Sequence, residues 1–251
     1  MNMEERITRI NALYHKSQTE GLSEAEKEEQ KRLRLEYVQS IRNSLKAQLD
    51  NIDIQNEDGS ITNLGNRHSK AEIRERILSI RRTMTDEESM EKSAVILKKL
   101  LKTDAFLRAW KVGLYASMEH EVITYPLISK SLQLDKGVSF PRITDRKAKQ
   151  MIFQYVQKMN DLMPGTHGIL EPSGNATVME QPDVIIVPVV AFDKELNRIG
   201  SGGGYYDRYL QSHSKAVKIG IAYEFQKTEK IDALPTDEKC DMIITEEHIY
   251  D

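Results

Sequence analysis

VIIVPVVAFDKELNRIGSGGGYYDRYL, residues 184–210, is the stretch around which the rest of the chain is interpreted. It opens with an apolar, β-branched run over residues 184–190, which is long enough for a strand buried on both faces. A turn, Arg198 and a glycine cluster follow, and helical character begins near Tyr209-Leu210. A strand that leads through glycines into a helix is the layout of an anion-binding loop.

Five small residues form the loop itself: Gly200, Ser201, Gly202, Gly203 and Gly204. Because glycines lack a Cβ atom, backbone N–H groups can close on an oxyanion, and a helix N-terminus behind them adds partial positive charge. Arg198 and Arg208 flank the loop and suit paired hydrogen bonds to phosphate oxygens. Asp207 adds a hard carboxylate, which is typical of a Mg²⁺ site.

The glycines alone do not specify a ligand. No G-K-[ST] follows them, as a P-loop would require, and Tyr205 stands where the dinucleotide fingerprint has its third glycine. A flexible hairpin or a tight strand-to-helix turn would use similar glycines. The longer string R-x-G-x-G-G-G-Y-Y-D-R, residues 198–208, follows V-P-x-x-A-F-D and resembles the signature of the 5-formyltetrahydrofolate cyclo-ligase family.

This resemblance extends from about residue 70 to residue 246. The family's K-x-x-[LI]-R matches residues 70–74, its Y-x-S…E-[VI]-x-T matches residues 115–124, and its M-x-F matches residues 151–153. The resemblance implies an ATP- and Mg²⁺-dependent enzyme that cyclises 5-formyltetrahydrofolate to 5,10-methenyltetrahydrofolate and releases ADP and phosphate.

The resemblance also implies site residues. The implied ATP contacts come from one helix and the glycine loop: Lys70, Arg74, Arg198, Gly200, Ser201, Gly202, Gly203, Gly204, Tyr205 and Asp207. The implied contacts with the folate are Tyr115, Glu121, Thr124, Met151, Phe153 and Tyr206. The predicted catalytic residues are Arg198, Tyr206 and Asp207, and Asp207 is the predicted Mg²⁺ ligand.

Several of these residues have a plainer alternative. Glu121 suits a pterin because two carboxylate oxygens can accept its adjacent amino and ring N–H donors, but an acid is also favoured in the first turn of a helix. Lys70 and Arg74 are four residues apart, and cations at that spacing usually form a solvated helix face. His120 is interpreted as a surface histidine.

The chain departs from the family pattern in three places. Val189 and Leu196 replace glycines, and residues 235–241 are about three residues short and lack a His-Asp pair. Two other hypotheses stay open, the first of them because of these departures. One is a regulatory protein that senses folate or nucleotide with a degenerate catalytic domain. The other is a sugar-phosphate isomerase or CoA-transferase of similar architecture, although no obvious base or nucleophile lies near the loop.

The composition bounds the class of protein. Hydrophobic residues make up 39% of the 251 residues and charged residues 30%, and the net charge of −3 gives no sign of a nucleic-acid or membrane partner. No apolar run approaches the ~20 residues that span a bilayer, and MNMEERITRI lacks the apolar core of a signal peptide. With Cys240 as the single cysteine, we expect a cytoplasmic protein whose partners are a reduced folate and ATP.

The first 50 residues predict an antiparallel helix hairpin. Apolar residues recur at three- and four-residue steps, Gly21 suits a helix stop, and Ser23-Glu24-Ala25-Glu26 is a capping box. The stretch resembles a small, uncharacterised bacterial family of two-helix proteins that usually stand alone. It contains nine Lys/Arg and nine Asp/Glu, so it lacks the excess of basic residues typical of a nucleic-acid-binding element. We interpret it as a packing or self-association element.

Strands and helices alternate in the remainder. We predict an α/β fold whose mostly parallel sheet carries helices on both faces, with strands near residues 111–117, 138–142, 151–156, 184–190, 218–223 and 242–246. The predicted domains are a hairpin over residues 1–50, a turn-rich linker over 51–68, and an α/β domain over 69–251.

Overall fold

A computed structural model describes residues 3–49, 52–55, 61–63, 69–165 and 168–251. The chain divides into two compact units, Met1–His68 and Ser69–Asp251. In the first unit, Asp58-Gly59 is a pair typical of a short hairpin turn, and it lies outside the described residues. The short strands before and after it, β1 (Asp53–Gln55) and β2 (Ile61–Asn63), pair antiparallel. The interpretation of residues 51–68 as a linker stays a prediction.

The helices of the first unit are α1 (Met3–Thr19) and α2 (Glu24–Leu49). After α1, Gly21 adopts φ +81°, a left-handed conformation that glycine reaches at little cost. Ser23 and Glu26 form the predicted capping box: the Ser23 N–H donates to Glu26 at 2.9 Å, and the Glu26 N–H donates to Ser23 Oγ at 3.3 Å. These caps explain why the chain turns sharply between the two helices.

The two helices run antiparallel but bury little apolar surface. Arg9 and Glu29 form a two-bonded ion pair with N···O distances of 2.9 and 2.7 Å. Leu13 and Leu33 are buried between the helices. Other members of the predicted apolar stripes remain substantially exposed: Ile7, Tyr14, Val38, Ile41 and Leu45. The predicted hairpin is therefore present, with an apolar face that the described residues leave largely open.

The elements of the second unit are as follows in chain order. Its helices are α3 (Lys70–Arg81), α4 (Asp86–Leu100), α5 (Asp104–Arg108), α6 (Tyr125–Gln133) and α7 (Tyr205–Ser212). Its strands are β3 (Lys111–Gly113), β4 (Gly137–Asp145), β5 (Gln150–Tyr155), β6 (Leu162–Pro164), β7 (Leu170–Pro172), β8 (Val184–Pro188), β9 (Ala191–Phe192), β10 (Arg198–Ile199), β11 (Val217–Ile221), β12 (Met242–Ile244) and β13 (Ile249–Tyr250).

Seven of these strands form one sheet in the order β13-β12-β11-β8-β3-β4-β5. The five strands from β12 to β4 are parallel, and an antiparallel strand closes each edge. Strand β8 lies at the centre, and its side chains alternate between two cores as a doubly covered strand requires. Val184 and Ile186 pack on the side of α4 and α6, whereas Ile185 and Val187 pack on the side of α7.

The predicted α/β fold is thus confirmed, with local differences. Each predicted strand overlaps an observed one, but β3 and β8 are shorter than predicted. Tyr115 and Ala116 line the cleft beyond β3, and Val189 and Val190 are buried in the chain that leaves β8. Helix α5, strand β13 and the antiparallel ribbons β6–β7 and β9–β10 were not predicted. Most of these are only two to five residues long, too short for hydrophobic periodicity to identify. No helix of the described residues is long and apolar enough to cross a membrane.

Candidate active site

A cleft of about 760 Å³ lies at the carboxyl ends of the central parallel strands. Strand β8 ends in it with Pro188, and the chain leaving β3 contributes Tyr115 and Met118. The loop over residues 200–204 and the first turn of α7 form another part of its wall. In open α/β sheets ligands bind at this edge, where loops and helix N-termini from several strands converge.

The glycine loop joins the β9–β10 ribbon to α7. This ribbon lies between β8 and the loop, where the sequence predicted a turn before Arg198. Helix α7 begins at Tyr205, four residues before the predicted helical character. Gly202 and Gly204 have φ values of +98° and +72°, where an L side chain would be strained. The backbone shape of the loop therefore requires glycine at positions 202 and 204. The loop leads directly into the N-terminus of α7.

Arg198 and Asp207 are paired with each other across the loop. Arg198 Nη2 donates to Asp207 Oδ1 at 2.9 Å, and the N–H of Glu238 donates to the same oxygen at 3.2 Å. The side chain of Arg198 is 3% exposed and that of Asp207 is 25% exposed. Arg198 Nε is also buried and has no hydrogen-bond partner among the described residues. A buried guanidinium with a donor to spare is suited to an anionic ligand.

Helix α3 directs two cations at the same loop. Arg74 Nε donates to the carbonyl oxygen of Gly200 at 2.8 Å, and Lys70 forms an ion pair with Asp237. Both cations are half-buried and line the cleft, so neither belongs to a solvated helix face. Burial raises the pKa of Asp237, but hydrogen bonds from Lys70 and from the N–H of Leu234 outweigh it and hold that pKa below its usual range.

Glu121 lies at another part of the cleft wall. It precedes α6 by four residues, so the alternative that placed it in the first turn of a helix is wrong. Its side chain is 11% exposed, and its Oε2 accepts from the N–H of Met118 at 3.0 Å. Burial raises the pKa of this carboxyl, with the Met118 N–H and Arg81 opposing that effect. The result is a desolvated acceptor that faces the cleft.

The tyrosines of the cleft differ in their hydrogen bonding. The Tyr206 hydroxyl is buried and has no partner among the described residues, and burial together with the charge of Glu121 raises its pKa well above the usual value. Tyr115 instead donates its hydroxyl to the carbonyl oxygen of Val122 at 3.1 Å. Tyr205 and Met151 also line the cleft. A buried, unpaired hydroxyl next to Glu121 is the polar group that a ligand would be expected to satisfy.

Two predicted folate contacts are not brought to the cleft. Thr124 is fully buried, and its hydroxyl donates to the carbonyl oxygen of Tyr115 at 2.6 Å, so it supports the cleft wall from behind. Phe153 is fully buried in the core, where its ring packs 4.8 Å from that of Tyr209. His120 is half-buried with φ +61°, which corrects the prediction of a plain surface residue.

Several residues of the cleft wall were not predicted from the sequence. Asp237 belongs to the shortened segment 235–241, which was noted only for the residues it lacks. Apolar residues from four different parts of the chain also line the cleft: Ile143, Ile169, Ile199 and Leu234. Such residues carry no local signal, because an isolated apolar side chain in a strand or loop is usually core.

The three departures from the family pattern meet in one place. Val189 and Cys240 belong to a single buried cluster, against which Leu196 packs. The N–H of Cys240 donates to the carbonyl oxygen of Leu196 at 3.1 Å. Leu196 has φ +64°, the left-handed conformation in which glycine is favoured, so the backbone shape is retained at the cost of strain.

Comparisons with known proteins address the first unit and the second separately. Residues 5–63 match the model described as a bacterial protein of unknown function (DUF896). In the same region the chain is 49% identical over 70 residues to a UPF0291 protein of Lachnospira eligens, covering 28% of this chain and 83% of that protein. This agrees with the resemblance seen for the helix hairpin.

The second unit matches a different set of proteins. The chain is 28% identical over 176 residues to the 5-formyltetrahydrofolate cyclo-ligase of Escherichia coli (strain K12), covering 68% of this chain and 97% of that protein. The solution structure of 5,10-methenyltetrahydrofolate synthetase from Aquifex aeolicus superimposes with a TM-score of 0.65 at 32% identity, covering 72% of this chain and 91% of that one. The family model matches residues 66–246, which contain the whole cleft, and the chain belongs to the 5-formyltetrahydrofolate cyclo-ligase family.

Proposed function

We propose that this chain uses ATP to convert 5-formyltetrahydrofolate to 5,10-methenyltetrahydrofolate, with ADP and phosphate as the other products. One observation carries the proposal: a single cleft combines a glycine loop flanked by a buried arginine with a desolvated glutamate and an unpaired buried tyrosine hydroxyl. The first set of groups suits a triphosphate, and the second suits the pterin ring. Membership of the cyclo-ligase family supports the same reaction.

The proposed reaction explains why one cleft would need both a triphosphate-binding end and a pterin-binding end. An N-formyl amide is a poor electrophile, and its oxygen is a poor leaving group. Transfer of the γ-phosphoryl group to that oxygen, with release of ADP, activates the formyl carbon. The N10 amine of the same folate then attacks this carbon, and the C–O bond breaks with loss of phosphate as the ring closes. Such a reaction needs no covalent nucleophile from the protein, but it needs positioning and neutralisation of charge.

The contacts around the glycine loop indicate which residues would bind ATP at that end of the cleft. Arg198 presents a buried cation whose Nε has no partner within the described ranges, and the amides of the glycine loop and α7 add neutral donors. Arg74 is held against the loop by Gly200. Lys70 is engaged by Asp237, so we propose that a phosphate oxygen takes the place of that carboxylate when ATP binds.

Asp207 fits a role as the protein ligand of Mg²⁺. Its Oδ1 accepts from Arg198 and from the Glu238 N–H, which orients the carboxylate and leaves Oδ2 for a cation. The described residues contain no cluster of three or more metal-binding side chains, and Mg²⁺ is commonly held by one carboxylate together with phosphate oxygens and water. An ion held there by Asp207 would help to neutralise the charge that develops during phosphoryl transfer.

The decisive experiment is an absorbance assay. Purified protein should form methenyl-folate absorbance from 5-formyltetrahydrofolate, and only when ATP and Mg²⁺ are present. The sensor and isomerase hypotheses both predict no such product. Binding of both ligands without turnover would favour the sensor and overturn the proposal.

Glu121→Gln should weaken the folate and spare the nucleotide. Glutamine keeps the shape of the side chain but replaces one acceptor with a donor that would face the donors of the pterin. Hydrogen bonds to charged groups are worth about 1.5–3 kcal/mol, so we expect the KM for 5-formyltetrahydrofolate to rise about 10- to 150-fold. The KM for ATP, measured in the same preparation, should change less than about twofold. Equal losses for both substrates would contradict the assignment of Glu121 to the pterin.

We propose that the hairpin is an association element with no part in the chemistry. The groups assigned to catalysis begin at Lys70, whereas α1 and α2 expose an apolar stripe suited to a second copy of the chain. A truncated chain that starts near Asn66 should therefore keep most of its turnover but contain fewer copies of the chain per assembly. Turnover and light scattering of the two chains would be compared. A folded, monodisperse truncation without turnover would show that the hairpin serves the active site.

The expected cytoplasmic location stays a prediction.

A further inference from the structure

Arg81, in the last turn of α3, lies beside the carboxylate that we assign to the folate. Arg81 Nη2 is 3.7 Å from Glu121 Oε1, and each side chain is 11% exposed. The two residues are 40 positions apart in the chain and come from different elements, so their approach is a product of the fold.

The geometry of this pair leaves the carboxylate able to bind a ligand. A separation of 3.7 Å is an ion pair but is too long for a hydrogen bond. Oε2 of Glu121 is oriented by the N–H of Met118, and Oε1 accepts no hydrogen bond from the described part of the chain. Arg81 therefore contributes positive charge without occupying the acceptor that a ligand would use.

Helix α3 places this arginine in line with the two cations of the nucleotide end. Positions 4 and 11 residues after Lys70 are rotated by only about 40° and 20° around a helix axis, so Lys70, Arg74 and Arg81 share one face. The first and last are separated by roughly 16 Å along the helix. Their partners are Asp237, the glycine loop and Glu121, all of which line the cleft.

We propose that Arg81 is a positioning residue that keeps Glu121 charged and oriented for the folate, so that one face of α3 serves both substrates. This inference rests on the proposed role of Glu121. The charge is needed because a protonated carboxyl would offer the pterin only part of its acceptor capacity. Arg81 lacks an obvious role in phosphate binding, since it does not line the cleft itself.

The other groups around Glu121 do not supply this charge. Tyr115 on the β3 side and Tyr206 on α7 are neutral phenols whose pKa values are raised by burial. Tyr223 donates its hydroxyl to the backbone oxygen of Glu121 at 3.1 Å, and Glu119 and His120 are its chain neighbours. Burial raises the pKa of Glu121, and Arg81 is the cation that counters it.

The test is the pH profile of kcat/KM for 5-formyltetrahydrofolate in the full chain, with Arg81→Met beside wild type. An opposite charge at this distance lowers a carboxyl pKa by about 1–3 units, so we expect the acidic limb to move up by about one unit or more in Arg81→Met. The KM for the folate should rise about tenfold near neutral pH and recover at high pH. The KM for ATP should stay unchanged, and Arg81→Lys should keep a near-normal profile.

Two matched variants make the outcome specific. Arg82 is the next residue, is exposed, and should give a wild-type profile as Arg82→Met. In a Glu121→Gln background, Arg81→Met should no longer move the acidic limb. If Arg81→Met folds poorly, Arg81→Gln carries the same expectation.

A neutral variant whose acidic limb superimposes on that of wild type, or one that loses ATP and folate affinity equally at all pH values, would overturn the role of Arg81. Absence of turnover in wild type would instead overturn the proposed function, so the two failures are distinguishable.

Discussion

Replacing Asp207 with asparagine is expected to lower turnover by at least about 100-fold, the usual cost of removing a group that stabilises transition-state charge. Asparagine retains an oxygen that can accept from Arg198 and from the Glu238 N–H, so the start of α7 should keep its shape. What is lost is the negative charge, which we assign to Mg²⁺. The measurement is the rate of methenyl-folate formation as a function of Mg²⁺ concentration.

Additional Mg²⁺ should recover little of this loss, because the variant lacks a charge-bearing ligand at any ion concentration. Asp104→Asn is a suitable control, since that carboxylate is 84% exposed and pairs only with its helix neighbour Arg108. It should retain wild-type turnover. If Asp207→Asn turns over almost normally with an unchanged Mg²⁺ requirement, Asp207 is a structural residue at the start of α7.

The parts of the fold that could be predicted from sequence are those with local causes. The capping box at Ser23 begins α2 where the pattern placed it, because the capping interaction involves residues three apart. The buried β8 run was recognisable since a strand covered on both faces is apolar throughout. Sheet order depends on pairing between distant parts of the chain, and the β9–β10 ribbon is a local hairpin whose strands are only two residues long, so neither left a comparable pattern.

The site shows the same division between local and distant causes. The glycine loop, Arg198 and Asp207 lie within ten residues of one another, so their proximity follows from chain connectivity. Asp237 approaches Lys70 from 167 positions away, and Arg81 approaches Glu121 from 40 positions away. A motif can suggest one member of each pair, but the partner is supplied by the packing of α3 against the rest of the unit.

The departures at Val189, Leu196 and the shortened segment are better understood together than singly. They meet in one cluster, and Leu196 retains the left-handed backbone that a glycine would provide. The strain of a non-glycine residue in that conformation is of order 1–2 kcal/mol. Partial burial of the leucine side chain against the cluster that contains Phe192 and Cys240 offsets part of it. Val189 and Leu196 thus belong to a buried cluster outside the cleft lining, whereas the shortened segment also brings Asp237 to the cleft wall, where it pairs with Lys70.

Replacing Arg198 with methionine should weaken ATP binding by roughly 10- to 150-fold, which corresponds to the about 1.5–3 kcal/mol of a charge-assisted hydrogen bond. Methionine keeps much of the apolar volume in a position where the arginine is 3% exposed, so the core behind the loop is filled. Binding of 5-formyltetrahydrofolate should change much less, because the groups assigned to the pterin lie elsewhere in the cleft. Calorimetric titration with each ligand measures the two affinities separately.

The free energy of unfolding should also fall in this variant, since Asp207 loses its cation. The loss should remain below the about 3–5 kcal/mol of a fully buried pair, because Asp207 is 25% exposed and water can reach it. Adding Asp207→Asn to Arg198→Met should restore stability without restoring ATP affinity, as both charges are then absent. Arg108→Met, at a side chain 84% exposed, is the control that should alter neither quantity. Unchanged ATP affinity in a folded Arg198→Met protein, or equal losses for ATP and folate, would mean that Arg198 supports the loop through Asp207 and does not contact the nucleotide.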